Sequence, residues 1–192
     1  MNSPNQRNSV PLTVSSPDLS GGRFPREFTC DGANRLPRLQ WTTPPVGTQE
    51  LAIEMLDPDA PGGTFTHWLV YGLPPGLAGL AAAPTGAAEG VNDFGRRGYG
   101  GPCPPRGATH HYHFVVLALD TRLGLAAGAR RPDLDSRISG HVLGRANWSP
   151  PTGAPEPSLP AQRAPSGQQE RGPSLAQTLI TECLQPADGK RV

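Results

Sequence analysis

The chain has 192 residues and a formal net charge of +1, and only 35% of its residues are hydrophobic. This length fits one domain, or one smaller domain with a tail. Because 24 glycines and 24 prolines make up a quarter of the chain, long uninterrupted helices are disfavoured and a helix bundle is excluded. The near-neutral charge gives no strong electrostatic field, so we expect no nucleic acid partner and no anionic membrane surface.

The two ends of the chain differ in composition from its middle. Residues 1–10 predict a flexible arm, and no apolar run there is long enough for a signal peptide or a membrane span. Residues 149–192 are rich in proline and polar residues and predict a largely disordered tail, with one short amphipathic helix at 174–185. We therefore expect a folded domain at 11–148, in a cytoplasmic protein without membrane insertion.

The three cysteines are Cys30, Cys103 and Cys183. They form no CxxC pair, and an odd number argues against a disulfide framework, so we expect reduced thiols. Cys103 lies near several histidines, as a nucleophile would, but no residue is identified as its orienting base. We interpret it as a small loop residue.

Alternating apolar residues predict a mainly β fold. A short strand at 11–15 and an irregular segment at 23–38 come first, followed by a strand that starts at Glu50 and a second strand at 66–73. The run 110–120 is the strongest strand signal, with both faces largely buried. In the strand at 66–73, alternation places four side chains on one face: His67, Leu69, Tyr71 and Leu73.

Two further segments complete the prediction. Residues 74–107 are dense in glycine and proline without clear periodicity, and a loop of that length in a compact domain favours a functional role. Residues 132–145 predict one short helix, because apolar residues recur there at helical spacing.

The first group of residues that could carry chemistry lies where two predicted strands meet. Asp57 continues the core-facing series of its strand, and His67 begins the returning strand at the same end, so the two side chains should approach each other. The prolines of DPDAP stiffen the turn and preorganise Asp57 and Asp59. The alternative is an Asx-type turn with a surface histidine.

The second group is the run GYGGPCPPRG at 98–107, followed by His110 and Tyr112. Glycines let backbone amides approach a ligand, so the run could form a concave anion site, although a rigid Ω-type loop is the alternative. It is not a P-loop, since no GK[ST] follows. If the strands share one end, then Asp57, His67, His110 and Tyr112 converge on a small polar pocket.

A third group, His111 and His113, shares a strand face at a spacing that can bind a metal together with a carboxylate. This HxH signal is weak, because two histidines on a strand are more often packed or solvated than ligating.

Two long motifs, in this order, resemble one known family. The first is DPDAP at 57–61 with the following His67-Trp68, and the second is GYGGPCPPRGATHHYHF at 98–114, followed by ALD at 118–120. On these motifs the chain resembles the phosphatidylethanolamine-binding protein family, specifically its bacterial Raf kinase inhibitor-like (YbhB/YbcL) branch. The resemblance runs from about Leu12 to Trp148, and it includes a segment around 140–143 interpreted as helical.

The resemblance implies an antiparallel β-sandwich with a few short helices and a pocket for phosphate or a phosphorylated headgroup. The pocket residues it implies are Asp57, Asp59, His67, Gly101, Pro102, Cys103, Pro104, Pro105, His110 and Tyr112. Two positions depart from the family pattern: His111 replaces the usual arginine, which should weaken an ion pair, and Leu36 replaces a common serine. The tail after Trp148 is also unlike the bacterial relatives.

We therefore predict a non-enzymatic protein that binds a small anionic ligand, with no cofactor, metal or catalytic residue, and with a regulatory role. Protonated histidines should strengthen anion binding as the pH falls. One alternative is a hydrolase that uses either a metal or His67 with Asp57. Another, from family analogy alone, is a kinase or protease inhibitor that acts through protein contact. A homodimer is implied by the bacterial members.

The tail should be dispensable, because the predicted core is complete before Ser149. Truncation after Trp148 should change the melting temperature by no more than about 2 °C, which is less than ~1 kcal/mol for a domain of this size. Differential scanning calorimetry of both chains measures this change. A fall of about ten degrees, or an insoluble product, would show that the tail covers the core.

Overall fold

The computed structural model describes residues 11–21, 24–105 and 107–150. The predicted arm at 1–10 and helix at 174–185 lie outside the described residues, as does the tail beyond Pro150. Within the described part of the chain the elements, in order, are β1 (Val14–Ser15), 3-10 helices at Pro17–Leu19 and Arg26–Phe28, β2 (Leu39–Trp41), β3 (Glu50–Asp57), β4 (Phe65–Leu73), β5 (Gly79–Leu80), β6 (Ala88–Glu89), β7 (His113–Leu119), α1 (Arg131–Ile138) and β8 (Val142–Trp148).

The strands form two antiparallel sheets. The smaller sheet has the order β1-β2-β5, and the larger has the order β6-β4-β3-β7-β8. One apolar core joins them, since it contains Leu39 and Trp41 of the small sheet together with Ile53, Trp68 and Phe114 of the large one. The prediction of a mainly β, antiparallel fold is confirmed.

The central strand β3 is buried at all eight positions. Because β4 and β7 pair with its two edges, its backbone is hydrogen-bonded on both sides. Its second face packs on a smaller core that Leu134 of α1 helps to cover. The prediction that both faces of the strand at 110–120 are buried is confirmed within β7, because Phe114 and Val116 lie in the inter-sheet core while Val115 and Leu117 lie in the smaller core with Leu134 of α1.

The predicted helix at 132–145 is only half correct. Helix α1 ends at Ile138, and Gly140 follows with a φ of 81°, a left-handed conformation that ends the helix. The chain then forms β8, which pairs with the free edge of β7. The helical interpretation of 140–143 is therefore wrong, because tertiary pairing with β7 overrides the local apolar spacing.

The face assignment in β4 is also corrected, because the strand carries a bulge near each end. Met55 pairs with Trp68 but Leu56 pairs with Thr66, so His67 is an extra residue on β4. A second irregularity lies near Gly72, which has a φ of 74°. Bulges break the simple alternation of side chains, and they are frequent next to functional sites.

The prediction of reduced thiols is wrong for two of the cysteines. Cys30 and Cys103 form a disulfide, with their Cα atoms 5.4 Å apart. The two residues are 73 positions apart in the sequence, so no local spacing motif marks the pair. The odd count arises from Cys183, which lies outside the described residues.

This disulfide should contribute measurably to stability, because it constrains a long loop of the unfolded chain. The chain-entropy model predicts that reduction lowers the free energy of unfolding by up to about 4 kcal/mol for a loop of this length. Urea unfolding of the oxidised and reduced protein measures the difference. The Cys30→Ser/Cys103→Ser variant is the control, since its stability should not respond to reductant. Equal stability of the two redox states would contradict a stabilising role for the bond.

Candidate functional site

The side chain of Asp57, at the end of β3, is the centre of the site. It is only 3% exposed, and a buried carboxylate needs hydrogen-bond donors to offset its desolvation. Its Oδ1 accepts a hydrogen bond from the backbone N–H of Asp59 at 2.9 Å, and its Oδ2 accepts one from His110 Nδ1 at 2.6 Å. The same Oδ2 lies 3.9 Å from His67 Nε2. The predicted approach of Asp57 and His67 is confirmed, and the Asx-type turn is present as well.

The hydrogen bonds of His67 define which of its nitrogens carries the proton. Its Nδ1 lies 2.7 Å from the carbonyl oxygen of Gly100, which can only accept, so Nδ1 is the protonated nitrogen. Burial lowers the pKa of His67, and the Gly100 carbonyl and the Asp57 charge oppose this shift without reversing it. The ring is therefore neutral near pH 7, with a bare lone pair on Nε2.

Tyr112 contributes a buried hydroxyl to the same group. The residue is 6% exposed, and its hydroxyl has no hydrogen-bond partner among the described residues. Burial and the charge of Asp57 raise its pKa, and the backbone N–H of Cys103 only partly offsets them. Its ring meets the His67 ring edge-on at 5.2 Å and stacks on the His110 ring at 6.4 Å. The structure thus brings the four predicted side chains together around a neutral phenol.

The glycine- and proline-rich loop of the site is anchored to the segment after the second 3-10 helix. Asn34 Oδ1 accepts a hydrogen bond from the Gly101 N–H at 2.8 Å, and the carbonyl of Pro102 accepts one from the Cys30 N–H at 3.1 Å. A Cβ at Gly101 would lie 2.2 Å from the Phe28 carbonyl oxygen, so only glycine permits this approach. The sequence reasoning missed Asn34, whose φ of 53° was not predictable from any periodic pattern.

The remaining residues of this loop differ in exposure. Gly101 and Pro102 are buried and Pro104 is half-buried, whereas Cys103 and Pro105 are exposed. Only the first half of the loop is therefore enclosed by the domain.

Asp59 is predicted to line the anion pocket, and in the structure its side chain contacts His111. Its Oδ2 accepts hydrogen bonds from the backbone N–H of His111 at 2.7 Å and from His111 Nδ1 at 2.6 Å, and these bonds lower the pKa of Asp59. Asp59 thus ties the β3-β4 turn to the segment that carries His110. The histidine at the position where the resemblance implies arginine still makes this polar contact.

An aromatic rim, which the sequence reasoning missed, lies beside His67. The rings of Phe65 and Phe94 lie 5.0 and 5.3 Å from the His67 ring, and the two phenylalanine rings are 4.8 Å apart. Phe94 is 41% exposed. The sequence signal for this rim is that Phe65 stands two residues before His67.

The two histidines of the predicted metal group have separate polar partners. His111 contacts Asp59, and His113 Nδ1 lies 3.1 Å from Asn147 Oδ1. In the part of the chain that the structure describes, no three His, Cys, Asp or Glu side chains come together as metal ligands. The geometry of the described residues therefore gives no support to the metal-dependent alternative.

A cavity of about 610 Å³ lies elsewhere, with Trp68, Glu89 and Tyr99 in its wall. None of the predicted site residues lines it. The cavity and the Asp57 site are therefore separate features of the surface.

The described domain is similar to proteins of known sequence and structure. The phosphatidylethanolamine-binding protein family model matches residues 14–151. The chain belongs to the phosphatidylethanolamine-binding protein family. A UPF0098 protein from Aquifex aeolicus is 45% identical over 136 residues, which cover 67% of this chain and 80% of the relative. The crystal structure of Escherichia coli YbcL, titled as a member of the mammalian family, matches with a TM-score of 0.68 and 31% identity, covering 73% of this chain and 97% of YbcL.

The name of one relative is relevant to the predicted cytoplasmic location of this protein. A relative from Mycobacterium tuberculosis, 42% identical over 140 residues that cover 71% of this chain and 69% of the relative, is named as a lipoprotein, LppC. Among the described residues, α1 is the only α-helix, and its eight residues are too few to cross a bilayer. The cytoplasmic location of this family member stays a prediction.

The lowered pKa of His67 should make stability depend on pH. Below about pH 6.5, the ordinary value for histidine, the unfolded chain takes up a proton that folded His67 does not yet bind, so the free energy of unfolding falls. His67→Gln removes this contribution. Urea unfolding between about pH 8 and pH 5 should therefore show a smaller loss of stability for the variant than for the parent. The same loss in both proteins would contradict a neutral, buried His67.

Proposed function

We propose that this protein is a non-enzymatic member of its family that binds a small anion, phosphate or a phosphorylated headgroup, at the Asp57 site. The residues that would contact the anion are Tyr112, His67, His110 and the backbone N–H of Cys103. Within the Gly101 to Pro105 loop the three prolines have no N–H, and the Gly101 N–H already donates to Asn34. Two of the relatives, the UPF0098 protein from Aquifex aeolicus and the lipoprotein LppC, have names that state no enzymatic activity. The regulatory role and the homodimer stay predictions from the family resemblance.

The observation that carries the proposal is the unpartnered hydroxyl of Tyr112. A buried donor that is left without an acceptor costs about 1 to 3 kcal/mol, so native proteins rarely keep one without a reason. The raised pKa keeps Tyr112 protonated, and a phenol O–H is a good donor to a charged oxygen. An anion at this point would supply the missing acceptor.

His67 becomes a donor to an anion only by taking up a proton. In the neutral ring its Nδ1 already donates to Gly100, so its Nε2 is an acceptor and cannot donate to an anion. Protonation turns Nε2 into a charged donor, and a bound anion favours that form. The other charged groups around His67 are Asp57 on β3 and Asp93 in the loop after β6, and both also favour its protonated form. Anion binding should therefore be coupled to proton uptake.

The hydrolase alternative has weaker support. The hydrolase alternative pairs His67 with Asp57, but His67 is held through Nδ1 by the Gly100 carbonyl, and its Nε2 is 3.9 Å from Asp57, beyond hydrogen-bond distance. His110 is hydrogen-bonded to Asp57, but among the described side chains no three possible metal ligands come together beside it. The hydrogen-bond donors of the site are therefore better suited to binding an anion than to catalysing hydrolysis.

Isothermal titration with inorganic phosphate tests the proposal. We expect tighter binding at pH 6 than at pH 8, because protonated histidines donate to the anion. Sulfate, whose charge is constant in this range, separates titration of the protein from that of the ligand. Tyr112→Phe should weaken binding by about tenfold or more, the usual value of a hydrogen bond to a charged group.

Tyr71→Phe is the matched control. The Tyr71 hydroxyl donates to the Ala126 carbonyl at 2.6 Å, on the other face of the large sheet. The control should lose stability but keep the parent affinity. No phosphate binding by the parent at millimolar concentration, or equal affinity for Tyr112→Phe, would overturn the proposal. Steady release of phosphate from a phosphomonoester that disappears in His67→Gln would favour the hydrolase instead.

A further inference from the structure

The disulfide between Cys30 and Cys103 lies within the candidate site and is open to solvent. Cys103 follows three residues after Gly100, whose carbonyl accepts the hydrogen bond from His67 Nδ1 at 2.7 Å, and the Cys103 backbone N–H also acts to lower the pKa of Tyr112. Both cysteines are exposed. A thiol in solution can therefore reach the bond, which a buried structural disulfide would prevent.

The non-covalent contacts of the loop lie mainly before Cys103. The Tyr99 hydroxyl donates to the Phe28 carbonyl at 2.9 Å, and Gly101 and Pro102 bond to the segment at 30–34 as described above. Beyond Cys103, the backbone hydrogen bond described for 104–109 is a local one, from the Ala108 N–H to the Pro105 carbonyl at 3.0 Å. Between the Pro102 carbonyl and the imidazole of His110, which is bonded to Asp57, the disulfide is therefore the main described tie of the loop to the body of the domain.

We propose that Cys30 and Cys103 form a thiol–disulfide exchange site that sets the anion affinity of the Asp57 site. The proposal rests on the anion-binding function proposed above. In the oxidised protein the bond holds the Cys103 amide beside Tyr112. In the reduced protein the loop after Pro102 gains freedom, and the anion must order it again on binding, which lowers affinity.

The reductant is a dithiol. One of its thiolates attacks a sulfur of the protein disulfide, the S–S bond breaks, and a mixed disulfide forms while the other cysteine leaves as a thiolate. The second thiol of the reductant then attacks the mixed disulfide. Cys30 and Cys103 end as two thiols, and the dithiol ends as a disulfide, so two electrons and two protons pass to the protein. Reoxidation reverses the exchange and should restore affinity.

The experiment compares phosphate binding in the two redox states of the full chain. Isothermal titration with inorganic phosphate follows incubation with dithiothreitol or with its oxidised form, and thiol titration confirms the state. Reduction should weaken binding by about tenfold, the equilibrium factor for ordering roughly one residue of backbone. Circular dichroism establishes that the reduced chain is folded at the temperature of the titration.

Two variants isolate the cysteine pair. Cys30→Ser/Cys103→Ser should bind phosphate as weakly as the reduced parent and should not respond to dithiothreitol. Cys183→Ser keeps the pair and removes the third thiol, so it should respond as the parent does. If the double variant does not fold, reduction and reoxidation of Cys183→Ser decide the question.

Hydrogen exchange provides a readout that needs no ligand. Reduction should speed exchange of the Cys103 amide and of the amides from 107 to 110, while the amides of β7 stay protected. Unchanged exchange in the loop would overturn the proposal, and so would equal phosphate affinity of the oxidised and reduced parent. If phosphate binds to both redox states with equal affinity, the redox control is wrong, but the proposed anion-binding function is still supported. Absence of phosphate binding in either state overturns that function and, with it, the redox control of affinity.

Discussion

The site depends on one buried charge, the carboxylate of Asp57. Taking this group out of water is unfavourable unless donors surround it, and the fold supplies the Asp59 amide and the His110 imidazole. These two bonds also orient the donors themselves. The first shapes the turn after β3, and the second holds the His110 ring with Nδ1 inward and leaves Nε2 free for a ligand.

Three separate parts of the chain form the site around that carboxylate, and each is held in place by different contacts. A bulge in β4 makes His67 an extra residue beside the end of β3. Asp59 accepts a hydrogen bond from the backbone N–H of His111 and so positions the neighbouring His110. The loop that carries Gly101 is fastened to the segment around Asn34 by a hydrogen bond and by the disulfide. The site is therefore preorganised on rigid elements, apart from the half of the loop beyond the disulfide.

Much of this arrangement could be predicted from the residues alone. Asp57 and His67 are predicted to meet because antiparallel neighbouring strands share an end, and the two buried faces of β7 follow from strict alternation. The bulge at His67 was not predictable, since it depends on register with β3 rather than on local pattern. Strand β8 was mistaken for helix because only the free edge of β7 determines its pairing. The disulfide and Asn34 were missed because both depend on contacts between residues more than sixty positions apart.

The central claim is that His67, neutral and buried beside Asp57, becomes a donor through Nε2 when an anion binds. Nitrogen-15 spectra of the imidazole rings, assigned with His67→Gln and His110→Gln, test this claim most directly. In the free protein near pH 7 the account predicts a proton on Nδ1 of His67 and none on Nε2. With saturating phosphate it predicts that Nε2 of His67 becomes protonated. Phosphate binding with Nε2 of His67 still unprotonated would contradict the account.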